Sequence, residues 1–154
     1  MNKIFDVIIV GSGGVGSLFA LQLGVLRPDF NILLLDDKLY NDFDYNSIDN
    51  RIFAISNYNY QKLSDLGVWP EKRFAVISKM DIHTGFDTNL LLDANLNIDE
   101  LSLARTIEQG VLLDLIRQKL LSLNNVTTVV DSISDIKYLD DYISLNTSNY
   151  QYKS

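Results

Sequence analysis

The chain has 154 residues, with 20 acidic against 13 basic side chains and a formal net charge of −7. That length allows one domain with a real core, while the acidic balance, with no Lys/Arg cluster interleaved with aromatics, argues against a nucleic-acid surface. No cysteine is present, which excludes a disulfide framework, a thiolate nucleophile and Cys-ligated zinc or iron–sulfur centres, and fits a reducing cytoplasm.

The first residues carry one lysine and then a short apolar run, without the long apolar region and cleavage site of a secretion signal. No stretch approaches the ~20 apolar residues that span a bilayer. The expectation is a soluble, cytoplasmic protein, with peripheral contact at a membrane left open. Asp6 to Val10 reads as a buried strand running into Gly11, Gly13, Gly14 and Gly16, the G-x-G-x-x-G turn of a dinucleotide-binding βαβ unit. Gly11 lets the chain turn off the strand, Gly13 has no Cβ to keep a pyrophosphate from the backbone at the helix N-terminus, and Gly16 lets the helix lie close on the sheet. Val15, Leu18, Phe19, Leu23 and Leu26 mark the expected inward helix face, closed by Arg27, Pro28 and Asp29. Ile32 to Leu35 forms the second strand, ending in Asp36, about 20 residues past the last glycine, where a carboxylate accepts from both ribose hydroxyls of an adenosine and disfavours a 2′-phosphate.

A polar loop from about Asp37 to Asn50 follows and belongs on the surface. The segment Arg51 to Ser56 leads into a short helix with Ser56 or Asn57 as N-cap, Leu63 and Leu66 inward and Gly67 as its stop, after which Val68, Trp69 and Pro70 anchor the exit. Ser78 to Thr84 alternates as a half-buried strand, with Met80 and Ile82 on one face and Lys79, Asp81 and His83 on the other. Leu90 to Leu92 is a second short strand. From about Thr106 to Leu123, Ile107, Val111, Leu112, Leu115, Ile116 and Leu120 recur at helical spacing, ended by Asn124 and Asn125. Val126 to Val130 then completes the parallel sheet, and the runs Ile133 to Leu139 and Tyr142 to Leu145 make a small meander before a polar tail. The predicted class is α/β, a Rossmann-like FAD/NAD(P)-binding domain with flanking helices.

Four pieces together resemble one family. Asp6 to Gly16, the segment Asp49, Asn50, Arg51, Ile52, Phe53, Ala54, Ile55, Ser56, then Leu66, Gly67, Val68, Trp69, and Ile107, Glu108, Gln109 are similar, in order, to the UbiH/UbiF/VisC group of FAD-dependent ring hydroxylases of ubiquinone biosynthesis. Their pattern is D-x-R-x-x-A-(L/I)-S, L-G-(L/V/I)-W and V-E-N. The resemblance implies a flavoprotein monooxygenase that uses NAD(P)H and O2 to hydroxylate a prenylated phenol. It implies that Arg51 lies near the flavin and its phosphates, a role suited to a bidentate guanidinium, and that Gln109, in place of the usual Asn, offers an amide near the flavin. The cofactor-binding set is thus Gly11, Gly13, Gly14, Gly16, Asp36, Arg51 and Gln109, with no catalytic residue and no metal ligand among them.

The A-D-G and G-D-A-A-H segments of that family are not found, so residues 1–154 are expected to be the N-terminal part of such a FAD-binding domain, without the substrate sheet and inactive alone. Association with other ubiquinone-pathway proteins is implied by the resemblance only. Two other readings start from the same turn. One is an adenylating, ubiquitin-activating-like ATP-binding domain, against which the D-x-D, the N-x-x-R-Q block and downstream cysteines are not found. The other is a non-catalytic nucleotide-binding module. His83, the single histidine, cannot by itself build the usual zinc site, and the pairs Asp36/Asp37 and Asp140/Asp141 read as solvated or capping side chains rather than metal ligands.

Overall fold

The computed structural model describes residues 2–38, 43–83, 85, 89–96 and 102–154. In chain order the elements are β1 (Asn2–Ile4), β2 (Val7–Val10), α1 (Gly14–Leu26), β3 (Ile32–Asp36), β4 (Ile52–Ser56), α2 (Asn57–Asp65), β5 (Phe74–Ile77), β6 (Lys79–His83), β7 (Asn89–Asp93), a 3-10 turn (Ala94–Leu96), β8 (Ala104–Glu108), α3 (Gln109–Leu121), β9 (Val126–Val130), β10 (Ile133–Tyr138), β11 (Ile143–Thr147) and β12 (Gln151–Lys153). They fall into two units, Met1–Asp42 with Ile116–Ser154, and Phe43–Leu115.

In the first unit, β3 is the central strand of a parallel sheet in the order β2-β3-β9, with Ile32 opposite both Val7 and Val126. Ile32 to Leu35 are all buried, which is why the run is continuously apolar rather than alternating. The α/β class read from the sequence is the fold observed.

The inward face of α1 differs from the expected one. Ser17, Ala20, Leu21 and Gly24 are buried, whereas Val15, Phe19 and Leu26 are exposed, Val15 at 87%. A helix that is apolar on all sides leaves periodicity unable to choose a face; close approach decides it. A Cβ on Gly24 would stand 2.7 Å from Cγ2 of Val126, so the small-residue side is the one that fits the sheet. Asn125 holds the far end of the same helix, its Nδ2 donating to the carbonyls of Gly24, Arg27 and Phe30 at 3.1–3.2 Å.

The meander is present as β10-β11-β12, with β1 added in parallel to β12. The residues after Leu145, read as a polar tail, end instead in a strand. Tyr152 of β12 is wholly buried and clusters with Leu33, Leu35 and Leu145. Three residues are too few to show a strand period, and both partners of β12 are needed to define it.

In the second unit β4, β8 and β5 form an antiparallel sheet in that order, with Phe53 and Phe74 opposite Ile107 on the central strand. The helix expected from Thr106 therefore starts at Gln109, because Thr106 and Ile107 pair on both sides as strand and Glu108 pairs with Ile52 of β4. Helix α2 is capped as expected: Ser56 Oγ accepts from the Asn59 amide. Its end is a Schellman turn, with the amides of Gly67 and Val68 donating to the carbonyls of Ser64 and Leu63 and Gly67 at φ 70°. Trp69 packs edge-on against Tyr60 and Phe74 at centroid distances of 5.0 and 5.7 Å, the anchoring role its position suggested. The strand expected over Ser78 to Thr84 is β6, paired among the described residues with β7 alone, and Ile82 is exposed rather than half-buried. Thr84, and residues 39–42 of the polar loop, Tyr40 included, lie outside the described residues.

Candidate functional site

The glycine turn sits where β2 ends and α1 begins. Gly11 adopts φ 97°, which only glycine holds without strain, and its amide donates to the Leu35 carbonyl at 2.7 Å. Gly13 is the N-cap of α1 and no side chain caps the helix, so the first-turn amides from Gly14 onward keep their affinity for an acceptor. A Cβ on Gly16 would lie 1.9 Å from the Gly11 carbonyl oxygen, while one on Gly11 or Gly13 would meet nothing within 4 Å. Gly16 is thus fixed by packing. The space before Gly11 and Gly13 is open, as an approaching phosphate requires.

Asp36 ends β3 beside this turn. Its Oδ2 accepts from the Ser12 amide at 2.5 Å and from Ser12 Oγ at 2.9 Å, and its Oδ1 accepts from the Lys38 amide at 3.0 Å. Ser12 is itself held by Ser17, whose Oγ donates to the Ser12 carbonyl. Burial works to raise the Asp36 carboxyl, but these donors outweigh it and leave the group below its ordinary value. A cleft of about 280 Å³ opens at the carboxyl ends of the parallel strands, lined by Gly11, Asp36, Asp37, Asp131 and Ser132 among others, the place where open α/β sheets take ligands. A second, of about 210 Å³, shares Asp36 and adds Ser12, Lys38 and Arg117. Sequence reasoning found Asp36 but missed Ser12, Asp131 and Arg117. Only the contiguity of Ser12 with the glycines was a signal. Asp131 is buried, accepts from Thr147 Oγ1 and is held low chiefly by that bond; it ties the meander to the end of β9.

Arg51 and Gln109 lie in the second unit and are brought together: the Gln109 amide donates to the Arg51 carbonyl at 2.8 Å. Asp49 organises both. Its Oδ1 accepts from the Arg51 amide and its Oδ2 from the Gly110 amide at the start of α3, both at 2.9 Å. The Asp of the D-x-R block is therefore a double backbone cap, not an ion-pair partner of the Arg51 guanidinium. Arg51 is exposed.

His83 is exposed on β6, with Nδ1 at 3.0 Å from Asn89 Oδ1. No group of three His, Cys, Asp or Glu able to hold a metal occurs among the described residues. None of their helices is long and apolar enough to cross a membrane.

No protein-family model and no curated protein matches the sequence. Solved structures do match. p-Nitrophenol 4-monooxygenase PnpA from Pseudomonas putida DLL-E4 aligns with 99% of this chain at 21% identity and TM-score 0.74. PqsL, a probable FAD-dependent monooxygenase from Pseudomonas aeruginosa, aligns with 98% at 14% identity and TM-score 0.72. The chain has the fold of the part of these monooxygenases with which it aligns. The flavin-dependent monooxygenase PieE, solved with FAD and substrate, covers 98% at 15% identity and TM-score 0.66. The chain spans 39% of the length of PnpA, 40% of PqsL and 29% of PieE.

Proposed function

We propose that this chain is the FAD-binding part of a flavin-dependent monooxygenase. The observation that carries the reading is the uncapped N-terminus of α1, with open space before Gly11 and Gly13 and Asp36 beside it. In this assignment Gly11, Gly13 and Gly14 take the pyrophosphate, Gly16 keeps α1 packed close behind the turn, and Asp36 takes the adenosine ribose. A carboxylate has about four acceptor positions. Three are used by Ser12 and Lys38, so the ribose takes the remaining capacity or replaces the Ser12 hydroxyl. Arg51 and Gln109 are assigned to the flavin half through the family resemblance. Bound FAD supplies the redox chemistry, and the chain supplies binding and orientation.

The finer reading is a ring hydroxylase of the UbiH/UbiF/VisC type, acting on a prenylated phenol with NAD(P)H as donor. It is supported by the Asp49 to Ser56 and Leu66 to Trp69 blocks. Hydroxylation is proposed for a protein of the neighbours' length rather than for these 154 residues. A prenylated substrate would bring that protein to a membrane surface and to other ubiquinone-pathway enzymes.

FAD titration of the purified chain, followed by flavin fluorescence with ATP and NAD as controls, tests the reading. Saturable binding at micromolar FAD that is lost in Gly13→Val supports it. A folded chain that prefers ATP and catalyses pyrophosphate exchange would replace it with the adenylating alternative.

A further inference from the structure

Arg73 is the single non-glycine residue among those described with a left-handed backbone, at φ 67°. Such a conformation is unfavourable for a long side chain and persists where its surroundings over-determine it. The surroundings here are specific. Arg73 Nε donates to Glu108 Oε1 at 2.9 Å, and Nη2 to both Glu108 oxygens at 2.8 and 2.7 Å. Nη1 donates to the Tyr45 carbonyl at 2.5 Å and Nη2 also to the Ser47 carbonyl at 2.7 Å. Phe43 and Tyr45 present their rings to the guanidinium at 5.3 and 5.9 Å. One planar fork thus ties the incoming segment, residues 43–47, to the last residue of β8.

The contacts continue into the candidate flavin pair. Glu108 Oε2 accepts from the Asp49 amide at 2.8 Å, and Asp49 caps the amides of Arg51 and Gly110. Gln109 stands between Glu108 and Gly110 and bonds to the Arg51 carbonyl. The Arg51 backbone is therefore fixed by Asp49, which Glu108 holds, and Gln109 is flanked by Glu108 itself and by the Asp49-capped Gly110. We infer that Arg73 is a positioning residue for the Arg51–Gln109 pair: its strained backbone is retained because the fork of its guanidinium sets where those two side chains begin. The inference rests on the proposed FAD reading for what the pair would contact. No other side chain reproduces the geometry, since Lys has a point charge where Arg has a planar fork.

Two variants separate positioning from backbone strain. Arg73→Gly relaxes the left-handed backbone and deletes the fork; Arg73→Lys keeps the charge without it. FAD affinity is measured by flavin fluorescence and ADP affinity by calorimetry, because ADP carries only the half of FAD assigned to the glycine turn. Hydrogen exchange is followed at the Gln109 and Gly110 amides. Both variants are expected to weaken FAD at least tenfold, leave ADP within twofold, and speed exchange at both amides. Should Arg73→Gly misfold by circular dichroism, Glu108→Gln carries the same test, with a smaller loss in the same direction. FAD affinity within twofold of wild type in a folded variant overturns the inference, as does an equal fall in FAD and ADP affinity. If wild type itself binds no FAD, the FAD reading fails, and exchange alone decides: unchanged protection at Gln109 and Gly110 overturns the positioning role, and lost protection upholds it.

Discussion

The Cβ that would collide with a backbone carbonyl at Gly16 and the Cβ that would meet only open space at Gly13 give two glycines of one turn opposite sensitivities. Gly16→Ala should destabilise the fold by more than the ~1–3 kcal/mol typical of overpacking, since the obstacle is backbone; chemical denaturation measures it. Gly13→Val should leave stability nearly unchanged and abolish FAD binding. The charged residues give a pH signature. Hydrogen bonds from Arg73 first, then the Asp49 amide, hold the Glu108 carboxyl below its ordinary value. A carboxyl whose folded value is depressed contributes stability above its unfolded value and loses it as pH falls through the folded one. The gap in melting temperature between wild type and Glu108→Gln should therefore be widest near neutral pH and narrow on acidification; a gap that widens in acid would refute the assignment.

Helices in this chain are fastened at their ends by residues distant in sequence or special in conformation. Asn125 donates to three carbonyls at and just past the end of α1 from a position about 100 residues later. Asn125→Ala should cost about 1–3 kcal/mol, the range for stranding partly buried acceptors. Gly67→Ala places a Cβ at φ 70° in the Schellman turn and should cost about 1 kcal/mol. Urea unfolding of both variants checks these values, and an unchanged midpoint for Asn125→Ala would mean that water replaces the side chain. The strand β8 carries a different lesson: Thr106 to Glu108 continue the helical spacing of the residues after them, yet pairing with β4 and β5 outweighs that pattern.

At the scale of the whole molecule, binding and stability are linked. A ligand that prefers the folded state at about a hundred times its dissociation constant adds roughly 2.7 kcal/mol, so FAD should raise the melting temperature in a dose-dependent way. With Asp36 as the proposed ribose acceptor, the shift should be smaller with a 2′-phosphorylated nucleotide. Absence of any shift with FAD in a folded protein would remove the flavoprotein reading. The sequence determined the α/β class, the β2-α1-β3 unit, two strands of the meander, an N-cap at Ser56 or Asn57 and the stop at Gly67, because each depends on neighbours within a few residues and on local periodicity. Tertiary structure alone decided which side of an all-apolar α1 faces the sheet, that Tyr152 closes a strand in the core, that Ser12 occupies Asp36, and that Arg73 holds Glu108, which in turn holds Asp49. Those features depend on partners tens of residues apart and on close approach of backbones, quantities that no local pattern encodes.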